Sequence, residues 1–505
     1  MIESWRSELA QMVINSDTLI AVTSIFATFV FVSHWLIVIG LGIRIILKRR
    51  ATGVSLAWLL VVISVPFIGG VLYLFVGEIW LPRRRIGRYY AFKESISDQI
   101  ERIDENWDIK GDALSPLARS LNAQANNPLK ISAIGGNSIE FFDTSAGCMR
   151  AVIEDIDRAE TTVSMLFYIW QSGGDIALVE QALIRAARRG VVCKVMVDCA
   201  GSKGFVKSSR AIEMRKAGVQ VVDTLPAGLL RVLFARIDIR NHRKIITIDH
   251  DIAYTGSMNM VDPRLFNVGK KFGQWIDVMA RVEGPAARVL DMTVSLDWAI
   301  ESVHDLGDEI DQIMPITPIQ SRGKIPLQVV PSGPDQGPRI IHDMVLTLIY
   351  NARKRLIITT PYFIPSEAML TAITAASMRG VYVTVVVPEK IDSILVRHAS
   401  KAYFEELLDS GVEICAFRGG LLHSKTVTAD DEVGMLGTVN MDKRSFSINF
   451  EISLFVYDKL IAAELRQLQE GYMDNAVVVD SKLWARRSVT SKIVQNSLQL
   501  LAPIL

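Results

Sequence analysis

Two stretches near the start of the chain are almost purely apolar. Leu19 to Ile43 runs for 25 residues without an Asp, Glu, Lys or Arg, and Ser55 to Val76 for 22. A membrane-spanning helix needs about 20 such residues, so both qualify. Pro66, Gly69 and Gly70 interrupt the second run, which a membrane helix tolerates where neighbours re-satisfy the freed carbonyls. Glu3 and Glu8 beside Arg6, together with the length of the first run, argue against a cleaved signal peptide. Two spans predict a hairpin, with the N-terminal tail and the large C-terminal body on one side of the membrane. That side carries Arg6, Arg83, Arg84, Arg85 and Arg88, against Arg44, Lys48, Arg49 and Arg50 at the connecting loop. The balance of basic residues leans towards a cytoplasmic body.

Beyond a charged, mixed stretch at 83–130, the pattern changes from membrane-like to globular and then repeats. Thr162–Trp170 is β-branched and aromatic, as a strand requires. A helical pattern follows to Arg189, then Gly190, then a strand over Val191–Asp198. In the second copy Arg355–Thr360 reads as a strand and Ser366–Arg379 as a helix, followed by Gly380 and a strand at Val381–Val387. The segments ALIRAARRGVVCKVMV and AITAASMRGVYVTVVV are one unit written twice. Strands alternating with helices predict an α/β fold in each half. The expected organisation is a transmembrane hairpin at 1–82, a juxtamembrane connector at 83–130, a first half at 131–310, a Pro- and Gly-rich linker at 311–336 and a second half at 337–505.

Composition narrows the chemistry. Half of the 505 residues are hydrophobic and mean hydropathy is +0.27, an excess concentrated in the first 80 residues. Net charge is +1, so no global basic field recruits nucleic acid. The four cysteines have neither metal-site nor disulfide-framework spacing. No His-Glu-x-x-His pattern or Asp-rich helix indicates a metal, and none is expected. His34, His250, His304, His342 and His398 have no chemical context that would give them a role.

The remaining two histidines do. His242, Lys244, Asp249, Gly256, Ser257 and Asn259 recur with identical spacing as His423, Lys425, Asp430, Gly437, Thr438 and Asn440. Both copies fit HxKxxxxDxxxxxxG(S/T)xN without a gap. Lys244–Ile248 and Lys425–Thr428 read as strands, on which each histidine and its lysine share a face. Asp249 and Asp430 fall in the turns that follow, and Ala253–Thr255 and Gly434–Leu436 return as second strands. The hairpin would bring Asn259 and Asn440 beside the His–Lys pairs. One imidazole, one ammonium and one amide from each half suit a tetrahedral phosphate: cation and amide hold its oxygens while the imidazoles do covalent and proton work.

These paired HKD motifs resemble those of the phospholipase D superfamily from about residue 130 onwards. Nearly the whole chain is similar to bacterial cardiolipin synthases, in LYLFVGE, FYIWQSGG, HRKIITIDHDIAYTGSMNMVDPR, GQWID, TTPYFIPS and GGLLHSK. The resemblance implies two phospholipase D-like α/β/α sandwich halves forming one catalytic body. It implies His242, Lys244, Asp249, His423, Lys425 and Asp430 as catalytic residues, although the two aspartates also fit a structural turn role. Asn259, Asn440, Ser257 and Thr438 become substrate-binding, and Asp277 and Glu451 become the carboxylates that orient the imidazoles.

The implied activity is metal- and cofactor-independent phosphatidyl transfer between two phosphatidylglycerol molecules through a phosphatidyl-histidine, at the bacterial inner membrane, with a multi-pass anchor. The resemblance favours His242 as the nucleophile and His423 as the acid/base in a near-symmetric site that leaves the order open, and assembly into a homo-oligomer is open too. A phospholipase D-type hydrolase or head-group exchanger and a membrane-tethered nuclease are the rival functions. Leu225–Arg240 and Leu483–Leu505 each fit either core packing or a lipid interface.

Overall fold

The computed structural model describes residues 2–48, 52–78, 81, 83–109, 113–225, 238–267, 272–302, 319–335 and 339–500. They form two compact units, an N-terminal one reaching Glu78 and a body beginning at Leu81.

In the N-terminal unit, α1 (Ile2–Leu47) is one continuous helix, and its Leu19–Leu47 portion is long and apolar enough to cross a bilayer. The second apolar run departs from the expected single span. It forms α2 (Thr52–Ser64), then α3 (Ile68–Leu72), which continues as one wider helical turn over Tyr73–Gly77. The break falls at Pro66, which has no N–H to donate, and at Phe67, whose φ of 57° is left-handed. There the chain reverses. Gly69 packs so closely on the earlier turn that a Cβ would lie 2.3 Å from the Val61 carbonyl oxygen, and the Tyr73 ring comes within 5.4 Å of Trp58.

The body is built on one sheet of 15 strands. The first half contributes β1 (Ile134–Phe142), β2 (Thr162–Phe167), β3 (Val192–Asp198), β4 (Gln220–Thr224), β5 (Ile245–Ile248), β6 (Ile252–Gly256) and β7 (Met279–Glu283). The second contributes β8 (Ile325–Ser332), β9 (Arg355–Thr359), β10 (Tyr382–Pro388), β11 (Glu413–Phe417), β12 (Thr426–Ala429), β13 (Val433–Gly437), β14 (Glu451–Val456) and β15 (Ala476–Val478). The strand order is β15-β11-β10-β9-β12-β13-β14-β8-β1-β7-β6-β5-β2-β3-β4. Read outwards from the central β8–β1 pair, both halves follow the same sequence of strands. The internal repeat therefore appears as two copies of one α/β topology joined at β1 and β8, with Ile134 opposite Leu327.

Local sequence explains the repeated unit. The apolar helices Asp175–Arg188 and Glu367–Met378 bury one face each and stop before Gly190 and Gly380, at φ of 97° and 88°. A glycine accepts that left-handed turn without a Cβ penalty, and the chain then enters a parallel strand. Helix Pro285–Glu301, which follows β7 in the first half, lies almost wholly buried.

The range expected to be linker, 311–336, instead supplies β8, which pairs with both β1 and β14. Its Leu327, Val329 and Val330 are core residues. Pro326, Pro331 and Gly333 gave that stretch the composition of a loop, while its central position in the sheet rewards its apolar side chains. Residues 311–318 and 336 of that range lie outside the described residues, as do 226–237 of the Leu225–Arg240 stretch and 501–505 of the C-terminal one. The described C-terminal residues are packed at two points: Trp484 is set against Phe404, with ring centroids 5.2 Å apart, and Arg487 pairs with Glu405 at 2.7 Å.

Candidate active site

Each motif begins just before a hairpin. β5 and β6 pair through a turn at Asp249 and His250, both at positive φ, and β12 and β13 through Asp430 and Asp431 in the same conformation. Two successive left-handed residues fit the twist of a tight hairpin, here with three residues between the paired strand ends. The Asp249 carboxylate accepts from the backbone N–H groups of Glu160, Thr161 and Thr162 at 2.7–2.9 Å. Asp430 accepts from those of Arg353, Lys354 and Arg355 over the same range. Five residues of extended chain put the backbone of these aspartates about 16 Å from that of the motif lysines. Both aspartates, expected among the catalytic residues, instead tie the hairpin turn to the start of a neighbouring strand.

At the other end of the hairpins the two halves exchange backbone. His242 N donates to Phe450 O at 2.8 Å, and Phe450 N to Arg240 O at 2.9 Å. Correspondingly, Leu421–Leu422 pair in parallel with Trp275–Ile276, and His423 N donates to Ile276 O at 2.8 Å. Buried Arg243 reinforces the first exchange, donating to the Glu451 carbonyl at 3.0 Å while paired with Asp297 at 2.7 Å.

The exchange crosses the carboxylates over. His242 Nδ1 lies 2.8 Å from Glu451 Oε2, and His423 Nδ1 lies 2.7 Å from Asp277 Oδ1. Each imidazole is thus bonded to the acidic residue of the opposite half. An ionised carboxylate can only accept, so each Nδ1 carries a proton and each Nε2 keeps its lone pair.

Lys244 and Lys425 are almost fully buried; each Nζ donates to the carbonyl of its motif histidine, at 2.7 and 2.5 Å. The Asn259 amide oxygen accepts from Ile169 N at 3.1 Å, while its buried nitrogen has no protein partner, a donor available to a phosphate oxygen. The Asn440 amide oxygen is likewise buried without a partner. Ser257 and Thr438, expected to bind substrate, have committed hydroxyls. Ser257 Oγ donates to Asp277 at 2.6 Å and accepts from Val278 N, and Thr438 Oγ1 accepts from Ile452 N at 2.9 Å. Ser257 therefore holds the carboxylate that holds His423.

Two aromatic neighbours were not among the expected site residues. Trp275 stacks on His423 with centroids 4.3 Å apart and planes at 23°, whereas Tyr168 meets His242 edge-on at 5.1 Å. Trp275 lies in GQWID, two residues before Asp277, and Tyr168 in FYIWQSGG; those segments and the strand spacing are the cues the sequence offers.

Burial sets the charge state. It drives His242 down to about 4 against the pull of Glu451, and His423 down to about 3, with Lys425 adding to the effect. Burial opposes ionisation of Glu451 and Asp277 too, but their histidine partners hold both below the ordinary carboxylate range. The lysines fall from the usual 10.5 to about 8 for Lys244 and about 7 for Lys425, again chiefly by burial. The resting site thus holds two neutral imidazoles, two carboxylates and two ammoniums that are easily lost. Among the described residues no cluster of three or more His, Cys, Asp or Glu is placed to hold a metal ion.

Residues 152–266 and 345–472 match the family described as "Cardiolipin synthase, PLD-like domain", and residues 35–78 match "Phospholipase_D-nuclease N-terminal". Over 475 residues, covering 94% of this chain and 97% of the relative, the sequence is 41% identical to Cardiolipin synthase A of Yersinia pseudotuberculosis serotype O:3 (strain YPIII). This chain belongs to the cardiolipin synthase family. Cardiolipin synthase A of Yersinia pestis bv. Antiqua (strain Angola) is 40% identical over the same coverage. The crystal structure of phosphatidylserine synthase from Haemophilus influenzae Rd KW20 aligns with a TM-score of 0.55 at 14% identity, covering 77% of this chain and 98% of that one. That likeness establishes a shared fold.

The lysines give this family member a pH signature. A lowered lysine pKa means the ammonium is lost as pH rises through the folded value, and kcat/KM reports the free enzyme. Beyond the loss set by deprotonation of His423, a further steepening is expected between pH 7 and 8, where an unperturbed lysine would place it near 10.4. A kcat/KM profile with no further steepening up to pH 9.5 would show that neither ammonium is needed.

Proposed function

We propose that this enzyme makes cardiolipin by moving a phosphatidyl group from one phosphatidylglycerol to another, with release of glycerol. The observation that carries the chemistry is the pair of buried imidazoles, each bonded through Nδ1 to a carboxylate and each next to a buried lysine. Two such groups divide a displacement at phosphorus between a nucleophile and an acid/base.

In the first step His242 Nε2 forms a bond to phosphorus as the bond to the glycerol oxygen breaks, and protonated His423 gives its proton to that oxygen. A phosphatidyl-histidine and free glycerol result. In the second, neutral His423 takes the proton of a glycerol hydroxyl on another phosphatidylglycerol. That oxygen bonds to phosphorus, the N–P bond breaks, and cardiolipin leaves. One phosphodiester replaces another, so the reaction is reversible and needs no nucleotide. Lys244, Lys425 and the Asn259 amide would bear the charge on the non-bridging oxygens. Trp275 supports giving His423 the acid role, because a ring stacked on an indole face is favoured as the cation. A phosphodiester anion entering the site would likewise raise both imidazoles from their low resting values.

Each half of the body is best described as an α/β/α sandwich. Lipid substrates and the apolar N-terminal helix place the enzyme at the membrane, and the near-neutral charge speaks against nucleic acid as substrate.

The deciding experiment incubates purified enzyme with labelled phosphatidylglycerol, without nucleotide-activated lipid and in EDTA. Cardiolipin and glycerol in equal amounts are expected. Phosphatidic acid as the main product would make the enzyme a phospholipase D, and loss of turnover restored by a divalent ion would overturn the two-imidazole scheme.

A further inference from the structure

The expected hairpin would return the chain to the face where it began. Contacts within the N-terminal unit describe a different path. Leaving α1, the chain rises antiparallel to it along α2: Leu59 lies 3.6 Å from where a Gly42 Cβ would stand, and Val62 shares a buried cluster with Val38 and Ile45. At the reversal Phe67 faces His34, with ring centroids 6.0 Å apart. The chain then descends. Gly70 lies against Ile37 and Leu41, Tyr73 joins the cluster with Val38 and Ile45, and Glu78 meets Arg44. Glu78 accepts from both Arg44 Nε and Nη2, at 2.7 and 2.9 Å, and from the Tyr73 hydroxyl at 2.7 Å, with Lys48 3.7 Å away. The second apolar segment therefore ends level with its own beginning.

From these contacts we propose that the chain crosses the bilayer once, through α1, and that residues 52–78 form a re-entrant helical hairpin that turns back near the bilayer midplane. At 1.5 Å per residue the tip beside His34 stands about 15 Å above the Arg44–Glu78 level. That is half of a hydrocarbon core about 30 Å thick. The other half of α1 has the surface of a lone helix in lipid: Leu19, Ile25, Phe26 and Phe29 are each 66–69% exposed.

Non-helical backbone at that depth must satisfy its polar groups internally. Here Val65 N bonds Val61 O at 3.1 Å, Gly69 N bonds Val65 O at 2.9 Å, Val71 N bonds Phe67 O at 2.9 Å, and Pro66 has no donor to satisfy. Gly69 and Gly70 let the descending limb pack against α1 and α2.

An odd number of crossings places the N-terminal tail and the body on opposite faces. It also removes the near-tie in basic residues. Lys48, Arg49 and Arg50 now lie on the same side as Arg83, Arg84, Arg85 and Arg88, against Arg6 alone in a tail that holds Glu3, Glu8 and Asp17. The body, and with it the site, faces the cytoplasm, and the tail lies outside.

The test uses the full chain in bacterial cells with the outer membrane permeabilised, a membrane-impermeant maleimide and a Cys199→Ser background. Ser7→Cys reports on the tail and Lys390→Cys on the exposed surface of the body. Tail labelling in intact cells, with body labelling only after the inner membrane is lysed, is expected. Labelling of both from the same side would restore an even number of crossings and overturn the proposal; labelling of the body from outside would overturn its orientation. Cardiolipin formation by the same membranes shows that the variants are folded, and it separates a wrong topology from a wrong activity.

Discussion

Alanine at His242 or His423 is expected to lower phosphatidyl transfer by about 10⁴-fold or more, because each removes a partner that the other cannot replace. Neither change should unfold the body, since the backbone bonds of His242 and His423 to Phe450 and Ile276 do not involve the imidazoles. The two variants should differ when the departing group needs no proton. With a phosphatidyl p-nitrophenyl ester, whose leaving group departs as an anion, His423→Ala should recover a burst of nitrophenol and His242→Ala should not. Rapid-quench detection of a base-stable phosphatidyl-protein adduct in the first variant alone would fix the order. Rescue of His242→Ala instead would reverse the two roles, and near-normal turnover of either variant on phosphatidylglycerol would end the mechanism.

The crossed carboxylates make a sharper demand. Asp277→Asn and Glu451→Gln keep shape but favour the wrong imidazole tautomer, a change that costs about 10⁴ in a comparable His–Asp pair. By chain position Asp277 belongs with His242 and Glu451 with His423. By contact the partners are reversed, Asp277 with His423 at 2.7 Å and Glu451 with His242 at 2.8 Å. The nitrophenyl ester sorts them. Asp277→Asn should be rescued as His423→Ala is, and Glu451→Gln should resist rescue as His242→Ala does. Double variants should repeat the sorting: Asp277→Asn adds little to His423→Ala but a further loss to His242→Ala. The opposite grouping would show that the crossed contacts do not operate during turnover.

The chemistry and the repeated fold were legible along the chain because both rest on short-range pattern. Alternating and apolar runs predicted β2, β3, β5, β6, β9, β10, β12 and β13 to within a few residues, since a strand or a helix needs only its own periodicity. The identical spacing of His242, Lys244 and Asn259 with His423, Lys425 and Asn440 singled out the candidate reacting groups, because a hairpin fixes how far a motif can reach. Asp249 and Asp430 were ambiguous at that level: their spacing is as regular as that of the lysines, and only the three backbone N–H groups converging on each carboxylate give them turn roles.

By itself, then, the sequence determined the membrane-anchored start, the duplicated α/β body and the inventory of two imidazoles, two ammoniums and two amides. The tertiary structure decided what depends on contacts between distant segments. Bonds from Arg240 and His242 to Phe450, and from His423 to Ile276, gave each imidazole the other half's carboxylate. Pairing with β1 and β14 made a strand of a Pro-bearing stretch that reads as linker. Close packing at Gly69 and Gly70 turned an apolar run of spanning length back on itself. Periodicity reports what one segment prefers; the partner it meets is set by the free energy of burying that segment's faces and bonding its backbone against chain dozens to hundreds of residues away.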